Sequence, residues 1–151
     1  MYSIELIKST RTKFTQLIHN ISIEAANKIP AGFNNNIAWN YGHVIVSGYL
    51  LAYVSTGIKP TIAIPLVDKF RKGTKPEAVV TKEEINILKE SSDDFLALLE
   101  QDITNQLFAN IKPYATQTFG VELHTTADLL TTIFGHDVLH YSTALTFKKL
   151  I

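Results

Sequence analysis

The chain has no cysteine. Disulfides, thiolate metal ligands and a cysteine nucleophile are therefore all excluded, and a thiol can take part in chemistry here only as substrate. It also lacks any excess of charge: Lys plus Arg and Asp plus Glu stand at 14 each. No basic surplus exists to neutralise a run of phosphates, which argues against a nucleic-acid partner. The nearest basic patch is Asp68 to Pro76, DKFRKGTKP, which reads as a solvated loop beside Gly73 and Pro76. Charge is missing altogether from Ile29 to Ile58. That stretch looks almost membrane-spanning, yet Asn34, Asn35, Asn36, Asn40 and His43 would be costly in lipid. It is expected to be a helix buried on nearly all sides, with no membrane partner. The N-terminus carries charge from Glu5 onward and has no uninterrupted apolar core, so it does not read as a signal peptide and the expected location is cytoplasmic.

What is present is helical periodicity. Apolar residues make up 46% of the chain against 19% charged, the balance of a globular protein, and residues 1–151 are most simply one domain. Ile4, Ile7, Phe14, Leu17, Ile18, Ile21 and Ala25 repeat at helical spacing and predict a first helix over 4–28, stopped by Pro30 and Gly32. Asn34 to Asn36 offer N-caps for a second helix running to about Ser55. Residues 57–80 hold three of the five prolines and form a long connection, with a short helical turn around Val67 to Phe70. Thr81 to Glu84 has the form of a capping box and opens a third helix through Ile85, Leu88, Ser92, Phe95, Leu98, Leu99 and Ile103. A second long connection spans about 112–124. Thr125 to Asp128 opens a fourth helix that ends near Lys148 and Lys149, whose charges suit its C-terminus. No strand pattern stands out. The expected fold is all-α: a four-helix bundle with long connections between helices 2 and 3 and between helices 3 and 4.

Two of the five histidines lie one helical turn apart in Phe134 to Ser142, FGHDVLHYS. Leu129, Ile133, His136, His140, Ala144 and Phe147 fall at spacings of 4, 3, 4, 4 and 3, which makes one inward stripe. Two of its six members are imidazoles, and an i, i+4 pair can approach one point. On the second helix Trp39, His43, Val46, Leu50 and Val54 form a comparable stripe, so His43 also points inward. Three neutral imidazoles suffice to hold a divalent transition ion with a coordination position left open. The competing reading is a set of core histidines satisfied by ordinary hydrogen bonds. His19 and His124 fit neither stripe. Asp137 lies about 100° round the helix from His136 and cannot share the ligand face with both histidines. A structural hydrogen bond suits it better than a general-base role. Asn40, three residues before His43, is a candidate anchor for water or substrate, or an interhelical hydrogen bond. Trp39, Tyr41 and Tyr141 are expected to pack.

Trp39 to His43, WNYGH, together with the later HDVLH, resembles the DinB-like (DinB and YfiT) superfamily, and the loop FRKGTKP is similar to a connection in many members. The resemblance spans essentially the whole chain. It implies a four-helix bundle with His43, His136 and His140 as ligands to nickel or zinc, water in the open position, and a homodimer. Better understood members act on low-molecular-weight thiols, including bacillithiol S-transferases and a mycothiol-dependent isomerase. The resemblance thus implies transfer of a small thiol to an electrophile. Metal-dependent hydrolysis and a non-catalytic metal-binding or structural bundle are the alternatives. Relatives often read His-Glu-x-x-His-x-Gly-Gln on the fourth helix, where this chain has Asp137, Ser142 and Thr143 at the three variable places.

Overall fold

The computed structural model describes residues Met1–Ile151 and is mainly helical. Helix α1 spans Tyr2–His19, α2 Ile23–Asn27, α3 Ile37–Tyr49, α4 Val67–Phe70, α5 Lys82–Thr104 and α6 Thr126–Leu150. Helix α6 packs chiefly on α1 and α3, and α3 lies in turn against α5.

The first helix stops earlier than its periodicity suggests. Asn20 ends α1, and the Ser22 hydroxyl accepts from the Ala25 amide to start α2 as a separate short helix. A Ser side chain offers the backbone a local alternative to the helix ladder, and here the Ser22 cap wins over the apolar stripe. Asn27, at the end of α2, is then locked in place. Its amide donates to the Val80 carbonyl (2.9 Å) and its oxygen accepts from the Val80 amide (2.8 Å).

Helix α3 is capped by Asn36, whose oxygen accepts from the Trp39 amide at 2.8 Å. Every residue from Ile37 to Tyr49 is buried, which explains the missing charge. The helix continues as a π-helical turn, Leu50–Ser55, before Gly57 closes it at positive φ. Such widened turns are common near functional sites. Both capping boxes form as the sequence indicates, at Thr81 with Glu84 and at Thr125 with Asp128.

The second connection contains what the sequence did not announce: a small antiparallel hairpin. Strands β1 (Tyr114–Ala115) and β2 (Glu122–Leu123) pair Tyr114 with Leu123 and Ala115 with Glu122. Two-residue strands are too short to show a period. The hairpin is held from below, because the Tyr114 hydroxyl donates to the Leu51 carbonyl (2.9 Å) and Leu123 sits in the core.

At the centre is a charged pair. Arg11 of α1 is buried, and its Nε donates to Asp137 Oδ2 of α6 at 2.7 Å. Its remaining nitrogens donate to Ser92 Oγ of α5 (3.3 Å) and to the Val44 carbonyl of α3 (3.1 Å), and its guanidinium lies 5.2 Å from the centre of the Phe95 ring. A Cβ on Gly48 would stand 2.3 Å from Arg11 Nη2, so glycine there makes room for the guanidinium. Arg11→Met is expected to destabilise the fold by about 3–5 kcal/mol, because it strands the Asp137 carboxylate in the interior. Adding Asp137→Leu should recover most of that loss. Urea unfolding of both variants checks this, and a single-variant loss under about 1 kcal/mol would contradict it.

Candidate metal centre

The three inward histidines converge. Ring centroids lie 4.5 Å apart for His43 and His140, 4.6 Å for His136 and His140, and 5.2 Å for His43 and His136. One nitrogen from each falls within 4.8 Å of the other two. Nitrogens bound tetrahedrally to a single zinc stand about 3.4 Å apart, so modest ring rotations would close the set.

Each ring is oriented differently. The His43 Nδ1 donates to the Phe70 carbonyl at 2.7 Å, and its face stacks on Trp39 with centroids 4.5 Å apart and planes inclined by 13°. The His140 Nδ1 donates to Asn40 Oδ1 at 2.7 Å. The orientation of that amide is settled by its other bonds, since Nδ2 donates to Asn35 Oδ1 (2.9 Å) and to the Asn36 carbonyl (2.8 Å). With Nδ1 protonated in both rings, the Nε2 lone pairs of His43 and His140 are left for another partner. The Ser47 hydroxyl, one turn beyond His43, is 3.3 Å from that Nε2. His136 is the exception: its Nδ1 is buried and has no hydrogen-bond partner. Satisfied core histidines do not leave a buried ring nitrogen orphaned.

Burial lowers the pKa of all three rings. It brings His136 to about 2, helped by the neighbouring His140, His43 and Arg11. It brings His140 to about 4, helped by His43. His43 is also lowered by burial, opposed by its bond to Phe70. All three are neutral near pH 7, the state a metal ligand needs. Neutral rings, Nε2 lone pairs bound by nothing stronger than the Ser47 hydroxyl, and an orphaned nitrogen make a donor set that fits a divalent ion such as zinc or nickel.

The rings form the floor of a cavity of about 380 Å³. Its walls come from Ser47, Leu50 and Leu51 of α3 and its π-helical turn and from Thr132 of α6, and its cover is the hairpin tip with Lys72. Asn40 is not in the wall. With its oxygen on His140 and both amide hydrogens engaged, it stands behind the ring rather than in the pocket. Asp137 is turned away and spent on Arg11. His19 is exposed at the end of α1, and His124 lies 3.7 Å from Glu122 at the hairpin's foot. Tyr141 packs against Phe14. Sequence reasoning missed the Phe70 carbonyl, which has no residue signature. It gave no role to Gly42 of the WNYGH run, where a Cβ would sit 2.5 Å from the Phe70 ring.

These elements define the class: a helical protein with three histidines gathered at the floor of a pocket. The chain belongs to the DinB superfamily, whose family model matches residues 6–144. No curated protein matches it.

Two outcomes follow. Gly42→Ala must displace Phe70 and with it the carbonyl holding His43. Zinc affinity should fall about 10- to 100-fold, read by chelator competition, while helical content is kept. The apo protein should lose stability as pH drops below about 6.5. The unfolded chain takes up histidine protons there, whereas the folded rings resist them, His140 down to about 4. The stabilisation is therefore full above that pH and declines through the window, by about 1.4 kcal/mol per pH unit for each ring involved. Denaturant titrations of apo protein between pH 7.5 and 5 measure this, and stability that rose on acidification would contradict it.

Proposed function

We propose that this protein is a divalent-metal-dependent enzyme in which His43, His136 and His140 hold zinc or nickel, and that it transfers a low-molecular-weight thiol to an electrophile. Supporting this is one observation above all: three neutral imidazoles with no carboxylate among them meet at the floor of a cavity of small-molecule size. A bound ion would there supply Lewis acidity, drawing the pKa of a coordinated thiol or water toward neutrality. The chain's own residues do the rest. The Phe70 carbonyl and Asn40 fix the tautomers and aim of His43 and His140, the hairpin tip restricts water, and Leu50 and Leu51 offer apolar contact to the substrate's carbon skeleton. The scaffold we assign is the four-helix bundle, one domain over 1–151, acting as a homodimer with no nucleic-acid partner. A cytoplasmic location fits thiol chemistry, because thiols are kept reduced there. No helix is long and apolar enough to cross a membrane.

Metal-dependent hydrolysis is the second reading. The hydroxyls of Ser47, Ser55 and Thr132 in the cavity wall suit an attacking water as well as they suit a thiol substrate. A metal-binding or structural bundle without turnover is the non-catalytic alternative.

Elemental analysis of untagged protein beside His43→Ala is the decisive test. About one zinc or nickel per chain is expected in the wild type, with loss of metal but retention of helix in the variant. No metal in either protein after reconstitution would remove the proposal.

A further inference from the structure

The stretch from Asp68 to Pro76 brings several cations together, and the structure treats them unequally. The Lys69 ammonium donates to both carboxylate oxygens of Glu84 at 2.7 Å. Arg71 pairs with Asp68 at 3.2 Å. Lys72 has no carboxylate partner: its ammonium donates to the neutral Gln117 side chain at the hairpin tip, and it lines the same cavity as the three histidines.

Its position is built into the site. Two residues before it, the Phe70 carbonyl accepts from His43. Two residues after it, the Thr74 hydroxyl accepts from the Trp39 indole N–H at 3.1 Å and donates back to the Arg71 carbonyl at 2.8 Å. Gly73, at φ +87°, makes the turn between them. The loop that carries Lys72 is thus pinned on both sides to α3, on the residues that orient a histidine.

The charge balance of the cavity follows. No Asp or Glu lines it. A divalent ion at the floor and an ammonium at the rim would leave positive charge without compensation, and such a cleft gathers anions. One ammonium beside amide and hydroxyl donors matches a carboxylate, whereas phosphate sites draw on helix N-termini or several cations.

We infer that Lys72 anchors an anionic group of the substrate, so that the pocket takes a small molecule carrying a carboxylate at one end while its reactive end meets the histidine floor. The inference rests on the metal-site reading for the reactive end and for the ion's share of the positive charge. Lys72 is then a specificity-determining residue that exchanges Gln117 for the carboxylate when substrate enters.

The test is calorimetry on zinc-loaded protein with 3-mercaptopropionate and its neutral analogue 3-mercaptopropan-1-ol. The carboxylate thiol should bind about tenfold more tightly. Lys72→Met should erase that difference without changing the affinity for the alcohol, and Lys72→Arg should restore it. Equal affinities in the wild type, or an advantage that survives Lys72→Met, would overturn the inference. Glutarate, which has no thiol, is titrated in parallel with and without zinc and keeps the two readings apart. If neither thiol binds, the thiol reading fails by itself. Glutarate binding weakened about tenfold by Lys72→Met then still sustains the anchor, and glutarate binding unaffected by the substitution overturns it. Lys72 is exposed, so thermal melts of the variants should match the wild type.

Discussion

The guanidinium of Arg11 is the point on which the structure turns. It starts on α1 and reaches α6 through Asp137, α5 through Ser92 and α3 through the Val44 carbonyl, so one side chain touches all four long helices. Buried ion pairs are weak sources of net stability, because removing two charges from water costs several kcal/mol and the attraction only repays it in good geometry. Their better-attested use is to fix one arrangement against near alternatives. Here the fixed quantity is helix register. Val44 directly follows His43, and Asp137 directly follows His136. Arg11 therefore holds α3 and α6 by the residues next to two of the site histidines, from the side opposite the pocket. A slip of either helix by one residue would break the pair and scatter the imidazoles together.

A second layer of constraint comes from connections rather than helices. The Asn36 carbonyl and the Asn35 side chain hold Asn40, and Asn40 holds His140. The end of α4 holds His43 through Phe70, and the loop that follows clasps Trp39 through Thr74. Gly42 is what lets the Phe70 ring come close enough for this, since any Cβ there would overlap it. The WNYGH run thus contains a stacking partner, a ring-orienting amide, a space-making glycine and a candidate ligand, in consecutive turns of one buried helix. Its burial on all sides, with the site on one of them, accounts for the absence of charge.

The helices and the histidine stripes were legible because burial imposes a 3.6-residue period, and an imidazole at an apolar position stands out against it. Arg11 was legible in principle. It falls at the gap between Ile7 and Phe14 in the stripe of α1, where a large charged residue reads as solvent-facing unless its partner is known. Asp137 was separated from the ligand face by its angle, yet nothing in the sequence pairs it with a residue 126 positions away. The break between α1 and α2 turned on Ser22, whose local hydrogen bond competes with periodicity by a margin too small to weigh without tertiary contacts. The hairpin has strands of two residues, and the Phe70 carbonyl is backbone, so neither leaves a pattern to read. The basic loop was visible as composition only. Which of its cations remain free depends on where Glu84, Asp68 and Gln117 fall in space.

The site's asymmetry has a physical consequence of its own. His43 and His140 each have a fixed acceptor at Nδ1, whereas His136 has none and is the ring most strongly disfavoured as a cation. An unpaired buried polar atom costs about 1–3 kcal/mol, and Arg11, behind the same helix turn, further opposes protonation as a remedy. If its hydrogen sits on Nε2, this nitrogen is a lone-pair acceptor, which a donor or a cation entering among the three imidazoles would relieve. In that tautomer a metal ion would satisfy the ring where protonation is disfavoured. With no acid in the cavity to balance its charge, such an ion would favour an anionic ligand over a neutral one. A metal on the histidine floor and the lysine at the rim would, on the proposed reading, impose the same preference from two ends of one pocket.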